Sequence, residues 1–154
     1  MIKKLSEKEI DVATLIIGIF ALLMMLLPVL VLRDSETAFN GLEVAFGTEF
    51  INLGPWASGE IAINPMVMLA FLLPLIAGLI PMFTTKGTLI STILFLGAAI
   101  LIFMTPQLTT VTVTVIGNAT EIDVDWTFGL GLILAAAAAL LGASLGAARI
   151  YKHL

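Results

Sequence analysis

Four runs of this chain, residues 12–32, 64–83, 88–105 and 127–148, contain no Asp, Glu, Lys, Arg or His. Nothing else in the sequence restricts the fold so strongly. A bilayer's hydrocarbon core takes roughly 20 mostly apolar residues per helical crossing, and each run is of about that length. The apolar residues are bunched into these blocks, not spread with the 3.6-residue period of amphipathic surface helices. With 60% hydrophobic and 12% charged residues, the chain lies well outside the range of ordinary soluble domains, which are about 25% charged. The expected architecture is one membrane domain over residues 1–154: an all-α four-helix bundle carrying a small extracytoplasmic antiparallel β-sheet. Lys3 and Lys4 precede the first run as they would in a signal peptide. The run is too long for an h-region and no A-x-A-like site follows, so it is expected to be a retained span.

Local signals mark the ends of the spans. Ser6 and Glu9 have capping-box spacing and predict a helix start before the first run. Pro28 falls in the last turn of that run. Asn64-Pro65 opens the second, with proline in the first helical turn. Pro74 is expected to kink this helix and Pro81 to help end it. Residues 84–87 form a tight turn between spans two and three. The polar segments 33–63 and 106–126 are the outer loops. In the first, the alternating pieces Leu42-Glu43-Val44-Ala45-Phe46 and Glu60-Ile61-Ala62-Ile63 read as half-buried strands. In the second, a Gly117-Asn118 turn predicts a hairpin with Val113 facing Ile122 and Val111 facing Val124. Thr114, Thr112 and Thr110 then face Glu121, Asp123 and Asp125. Leu42, Val44 and Phe46 are expected to join Val111, Val113, Ile122 and Val124 in the apolar, interacting surface of an outer sheet of three to five strands.

Six of the seven Lys and Arg residues lie on one side of the expected spans, with Arg33 alone opposite. The positive-inside rule then puts both termini and the Lys86 turn in the cytoplasm, in what is expected to be a plasma membrane. The other side carries eight carboxylates against Arg33, a formal −7. Glu121, Asp123 and Asp125 form the acidic outer face. Acidic residues on an exposed strand ordinarily serve solubility and edge protection, and no loop spacing for Ca²⁺ accompanies them. Asn118-Ala119-Thr120 is an N-x-T sequon at the hairpin tip. Trp126 and Tyr151 stand where interfacial aromatics belong.

Run four is rich in small residues. Gly142, Ser144 and Gly146 offer a helix-packing interface, with Gly142 and Gly146 four apart as in small-xxx-small contacts. They serve either packing within the chain or association with a second subunit. Ser91 and Thr92 are expected to bond back to their own helix. There is no cysteine, no metal-ligand cluster, no phosphate loop, no basic nucleic-acid patch and no nucleophile–base constellation. The chain therefore reads as a non-enzyme with no cofactor and no metal.

In layout, with cytoplasmic ends, a long first outer loop, a shorter second one and an outer sheet, the chain resembles the claudin-like tetraspan membrane proteins. Asn40-Gly41-Leu42 falls roughly where that group carries Gly-Leu-Trp; the Trp and the first-loop cysteine pair are absent. The resemblance implies an interaction role. The expected function is a non-catalytic membrane interaction protein, either an accessory subunit of a membrane complex or a self-associating tetraspan. Its partners would be the lipid bilayer and other membrane protein subunits or copies of itself, with no nucleic acid. The alternative is a small oligomeric channel or transporter subunit, whose acidic outer face attracts cations. No ionisable group lies within the runs, which argues against a proton-coupled exporter.

Overall fold

The computed structural model describes residues 6–33, 36–84 and 86–152. Lys3, Lys4, Asp34, Thr85 and His153, on which parts of the charge and turn reading rest, lie outside the described residues. The chain is mostly helical, with two small antiparallel sheets.

Helix α1 (Glu7–Leu23) starts at the expected capping box: Ser6 Oγ accepts the Glu9 N–H at 3.2 Å, and Glu9 Oε2 accepts the Ser6 N–H at 2.7 Å. A 3-10 turn (Met24–Leu26) follows, and then the chain straightens into β1 (Pro28–Leu32). The first run is thus helix only to Leu26, not to residue 32. Pro28 is the cause. It offers no N–H and drives the preceding residue out of the α region, and Leu27 is extended at φ −95°, ψ 162°. Val29, Leu30 and Val31 then do what branched apolar residues do well and fill a strand.

Strand β2 (Ala38–Asn40) leads into α2 (Gly41–Phe46). Leu42–Phe46 is therefore helical where alternation predicts a strand. Asn40 Oδ1 accepts the Glu43 N–H and Glu43 Oε2 accepts the Asn40 N–H, both at 2.9 Å, and this second capping box outweighs a five-residue alternation. Strands β3 (Thr48–Asn52) and β4 (Ala57–Ile61) form a hairpin. Helix α3 (Pro65–Phe83) begins at Asn64, whose side chain caps Met66 N–H, and it continues through both Pro74 and Pro81. Helix α4 (Thr88–Phe103) is followed by the single turn α5 (Thr105–Leu108). Strands β5 (Val111–Val115), β6 (Asn118–Ile122) and β7 (Trp126–Phe128) precede α6 (Leu130–Lys152). The fourth helix therefore starts three residues later than expected, because residues 126–128 are taken into a sheet, and it runs on past Ala148.

Among the described residues, three helical segments are long and apolar enough to cross a membrane: Glu7–Leu26, Pro65–Phe83 and Leu130–Lys152. Helix α4 is apolar but has 16 residues, a rise of about 24 Å. Helix α1 packs on α3, α3 on α4, α4 on α6 and α6 on α1. The interior is filled by Phe71, Phe95, Ile102 and Leu132 together with alanines at 70, 77, 98, 135 and 139. Small residues let the backbones approach. A Cβ at Gly78 would lie 2.8 Å from the Thr14 carbonyl oxygen, and one at Gly18 would overlap the Pro74 carbonyl.

Every strand follows the C-terminal end of α1 or α4 or precedes the N-terminal end of α3 or α6, so both sheets stand at one end of the helices. One has the order β2-β1-β7, the other β3-β4-β5-β6. In the second, β5 and β6 pair Val111 with Ile122, Val113 with Thr120 and Val115 with Asn118. The turn is Ile116-Gly117, both at positive φ (50° and 78°). The hairpin is present, but its register lies two residues from the expected one. A two-residue slip leaves every side chain on its expected face, so the alternation cannot detect it. The slip has a cause in the neighbouring sheet. Trp126–Phe128 pair with β1, and Arg33 N–H donates to the Asp125 carbonyl at 3.1 Å. Residues 123–125 must therefore bridge the two sheets instead of lengthening β6.

Candidate functional site

Three regions bring together the residues that the sequence singles out and their partners. The first is the end of the helices opposite the sheets. Arg149, on the last turns of α6, is buried, and its guanidinium binds Asp11 and lies 3.7 Å from Glu7, both on α1. A buried cation needs such partners, since an unpaired one costs several kcal/mol. Positive-side counting treats Arg149 as a free surface charge; in the fold it ties α1 to α6. The pair is 138 residues apart in sequence, and no local pattern announces it.

The second region is the set of helix seams. Gly142 and Gly146 both face α4 of the same chain. A Cβ at Gly142 would come within 2.6 Å of the Phe95 ring, and one at Gly146 would overlap Thr92 Oγ1. Ser144 points away from this seam, is exposed, and donates to its own helix at Leu140 O. The structure thus separates Ser144 from the two glycines. Ser91 and Thr92 divide likewise. Thr92 donates back to Thr88 O at 2.8 Å, as expected, whereas Ser91 reaches across to Ala77 O of α3 at 2.6 Å. That carbonyl sits four residues before Pro81, so it is the one left without an intrahelical N–H. The sequence rule that found the proline also locates its orphan acceptor, but not the donor on the next helix.

The third region is the sheet end. Val44, Ile61 and Val111 are buried, and Val113 and Val124 pack partly against the same core. Leu42, Phe46, Ile63 and Ile122 are exposed. At the far tip of the four-stranded sheet the two hairpin turns meet, with Ile116 N–H donating to the Trp56 carbonyl at 2.9 Å. Around that bond Leu53, Trp56 and Ile116 are exposed by 63%, 69% and 69%, with Val115 and Ile51 beside them. Strands β3 and β6 are the open edges of this sheet. Glu121, Asp123 and Asp125 are all exposed, but only Glu121 lies on β6. The other two line a polar groove of about 430 Å³ with Arg33, Gln107, Thr109 and Trp126. Trp126 is half-buried, edge-on to Phe39 at 5.7 Å. Among the described residues no group of three or more His, Asp or Glu side chains is placed to hold a metal ion.

No known protein family matches the chain, and no curated protein or solved structure does so either.

Proposed function

We propose that the chain is a membrane four-helix bundle that crosses the bilayer with all four long helices, and that it serves as a non-catalytic interaction protein. Three spanning-length apolar helices support the first part, and so does what the helices turn outward. Ile16, Ile19 and Phe20 of α1, Leu69, Leu72 and Ile76 of α3, Ile93, Leu96 and Ile100 of α4, and Ile133, Leu140 and Leu141 of α6 are all exposed. A water-soluble protein rarely leaves apolar patches beyond a few hundred Å² uncovered; a lipid-facing one must. Helix α4 and the α5 turn after it together reach the length that α4 alone lacks. In this reading the sheets stand in the extracytoplasmic space, and the Arg149 end, with Lys86 and Lys152, faces the cytoplasm.

The observation that carries the interaction role is the apolar tip of Leu53, Trp56, Val115 and Ile116. It lies as far from the helices as the sheet reaches, so the bundle's own lipid shell does not cover it. Tryptophan flanked by aliphatic side chains is the composition of an interface centre, and the open β3 and β6 edges add backbone donors and acceptors. The partner is another membrane protein subunit or a second copy of the chain. A channel, by contrast, needs a pore between several chains, because the interior of this one is filled. The hydroxyls of Thr14, Ser91 and Thr92 are all committed to backbone carbonyls.

The test is extraction from the native membrane in mild detergent, followed by mass determination and identification of copurifying proteins. A defined assembly is expected, and Trp56→Ser with Ile116→Ser is expected to dissociate it while leaving the helical circular dichroism unchanged. A single chain of unaltered mass in both cases would overturn the interaction reading. Loss of the chain from carbonate-washed membranes would overturn the membrane reading.

A further inference from the structure

We propose that the seam between α4 and α6, at its sheet end, binds one zwitterionic phospholipid. The inference rests on the membrane reading above and adds a specific ligand to it.

Two grooves lie one beyond the other there, along β7. The lower one, of about 190 Å³, opens between the helices and is lined by Phe103, Phe128, Leu132, Ile133, Ala136 and Leu140, with Ala137 at its rim. No polar side chain lines it. It exists because α6 presents alanine at 136 and 137, while Phe103 and Phe128, edge-on at 6.2 Å, line its sheet end. The upper one is the polar groove of Arg33, Gln107, Asp123, Asp125 and Trp126. They have no lining residue in common, but neighbouring parts of the same elements line both. Trp126 and Phe128 are successive same-face residues of β7, one in each groove, and Phe103 and Gln107 stand one turn apart along α4 and α5.

An amphiphile is the ligand class that uses both. The lower groove accepts hydrocarbon and nothing charged. The upper groove holds one guanidinium and two carboxylates, a formal −1. The guanidinium of Arg33 makes no ion pair among the described residues. A planar guanidinium suits a phosphodiester. Asp123 and Asp125 then face the ammonium of the same headgroup, with the Trp126 ring as a further cation partner. An anionic headgroup would satisfy Arg33 but leave both carboxylates repelling it. A zwitterion satisfies both signs. On the membrane reading, Trp126 stands at the level of an interfacial tryptophan, where lipid headgroups lie.

The chain has two tryptophans, so Trp56→Phe leaves Trp126 as the sole tryptophan fluorophore. The full chain in mild detergent is titrated with phosphatidylethanolamine bearing brominated acyl chains, and with phosphatidylglycerol of the same chains. Saturable quenching by the first is expected, with an apparent affinity about tenfold higher than for the second. Arg33→Gln, a change of a surface side chain, should weaken binding about tenfold, and Ala137→Phe, at the groove rim, should abolish saturation. Inorganic phosphate should not displace the lipid. Equal, non-saturating quenching by both lipids, unaffected by Arg33→Gln, would overturn the site, as would displacement by phosphate alone. Membrane retention under carbonate separates the two failures. A chain that stays in the membrane but quenches without selectivity loses only the lipid site, whereas one released by the wash loses the membrane reading as well.

Discussion

Replacing Ser91 by alanine should destabilise the chain by an amount that depends on the residue at position 81. Ser91 Oγ–H is the donor to the Ala77 carbonyl, at 2.6 Å and buried between α3 and α4. Pro81 has no N–H with which to occupy that acceptor from within α3. A buried acceptor stripped of its donor costs about 1–3 kcal/mol in water-soluble proteins. Double-mutant cycles between membrane helices average about 0.6 and reach about 1.7 kcal/mol. The absence of any intrahelical alternative puts this bond in the upper part of that range. Ser91→Ala should therefore cost about 1.5 kcal/mol, roughly a tenfold change in the folded-to-unfolded ratio. In a Pro81→Ala background the new N–H reaches Ala77 O itself, and the same Ser91→Ala change should cost less than about 0.5 kcal/mol. Equilibrium unfolding in mixed micelles, followed by circular dichroism, gives all four corners of the cycle. Packing lost with the proline ring cancels from the comparison. A cost for Ser91→Ala that is the same with Pro81 intact and in the Pro81→Ala background would refute the assignment of Ser91 as the proline's compensating donor.

Arg149→Met leaves Asp11 half-buried without its cation and should destabilise the chain by about 3 kcal/mol in the same assay, while the double change Asp11→Leu, Arg149→Met should recover most of that loss. Gly146→Ala places a Cβ on Thr92 Oγ1 and should cost about 1–3 kcal/mol; adding Thr92→Ala should recover at least half of it, measured as thermal shift in detergent. Ile116 is a β-branched residue at φ 50°, so Ile116→Asn, which suits the left-handed region, should raise stability by about 0.5–1 kcal/mol without altering the hairpin's amide exchange pattern.

Helix starts were readable because they are local. Ser6 with Glu9 and Asn64 with Pro65 each span a few residues, and the structure uses both. Asn40 with Glu43 was equally local, yet the apolar alternation of Leu42, Val44 and Phe46 competes with it, and the cap prevails. Pro28 lies inside an unbroken apolar run, so hydropathy extends the first span through a strand that belongs to the sheet end. The hairpin register escaped for a different reason: the faces agree in both registers, and the choice is made by β1, far upstream in the chain. Of the long-range pairs, Arg149 with Asp11 has no sequence signature, and for Ser91 with Ala77 only the acceptor, four residues before Pro81, is legible. Gly142 and Gly146 were recognisable as contact points, but only the fold shows that Phe95 and Thr92 of the same chain meet them. The polar groove was visible in part, as Asp123 and Asp125; its cation, Arg33, approaches from the other long polar segment, residues 33–63.

The α1–α6 pair is held at both extremities: by Arg149 and Asp11 at one, and by β1 against β7 at the other. Only Leu27 separates the 3-10 turn from β1, and only Gly129 separates β7 from α6. With no slack in either joint, a load applied to the three-stranded sheet is carried into α1 and α6 as a torque instead of being absorbed by a linker. Whatever draws on β1 or β7 would thereby hold a lever on α1 and α6, and the ion pair at the far end sets how stiffly they answer.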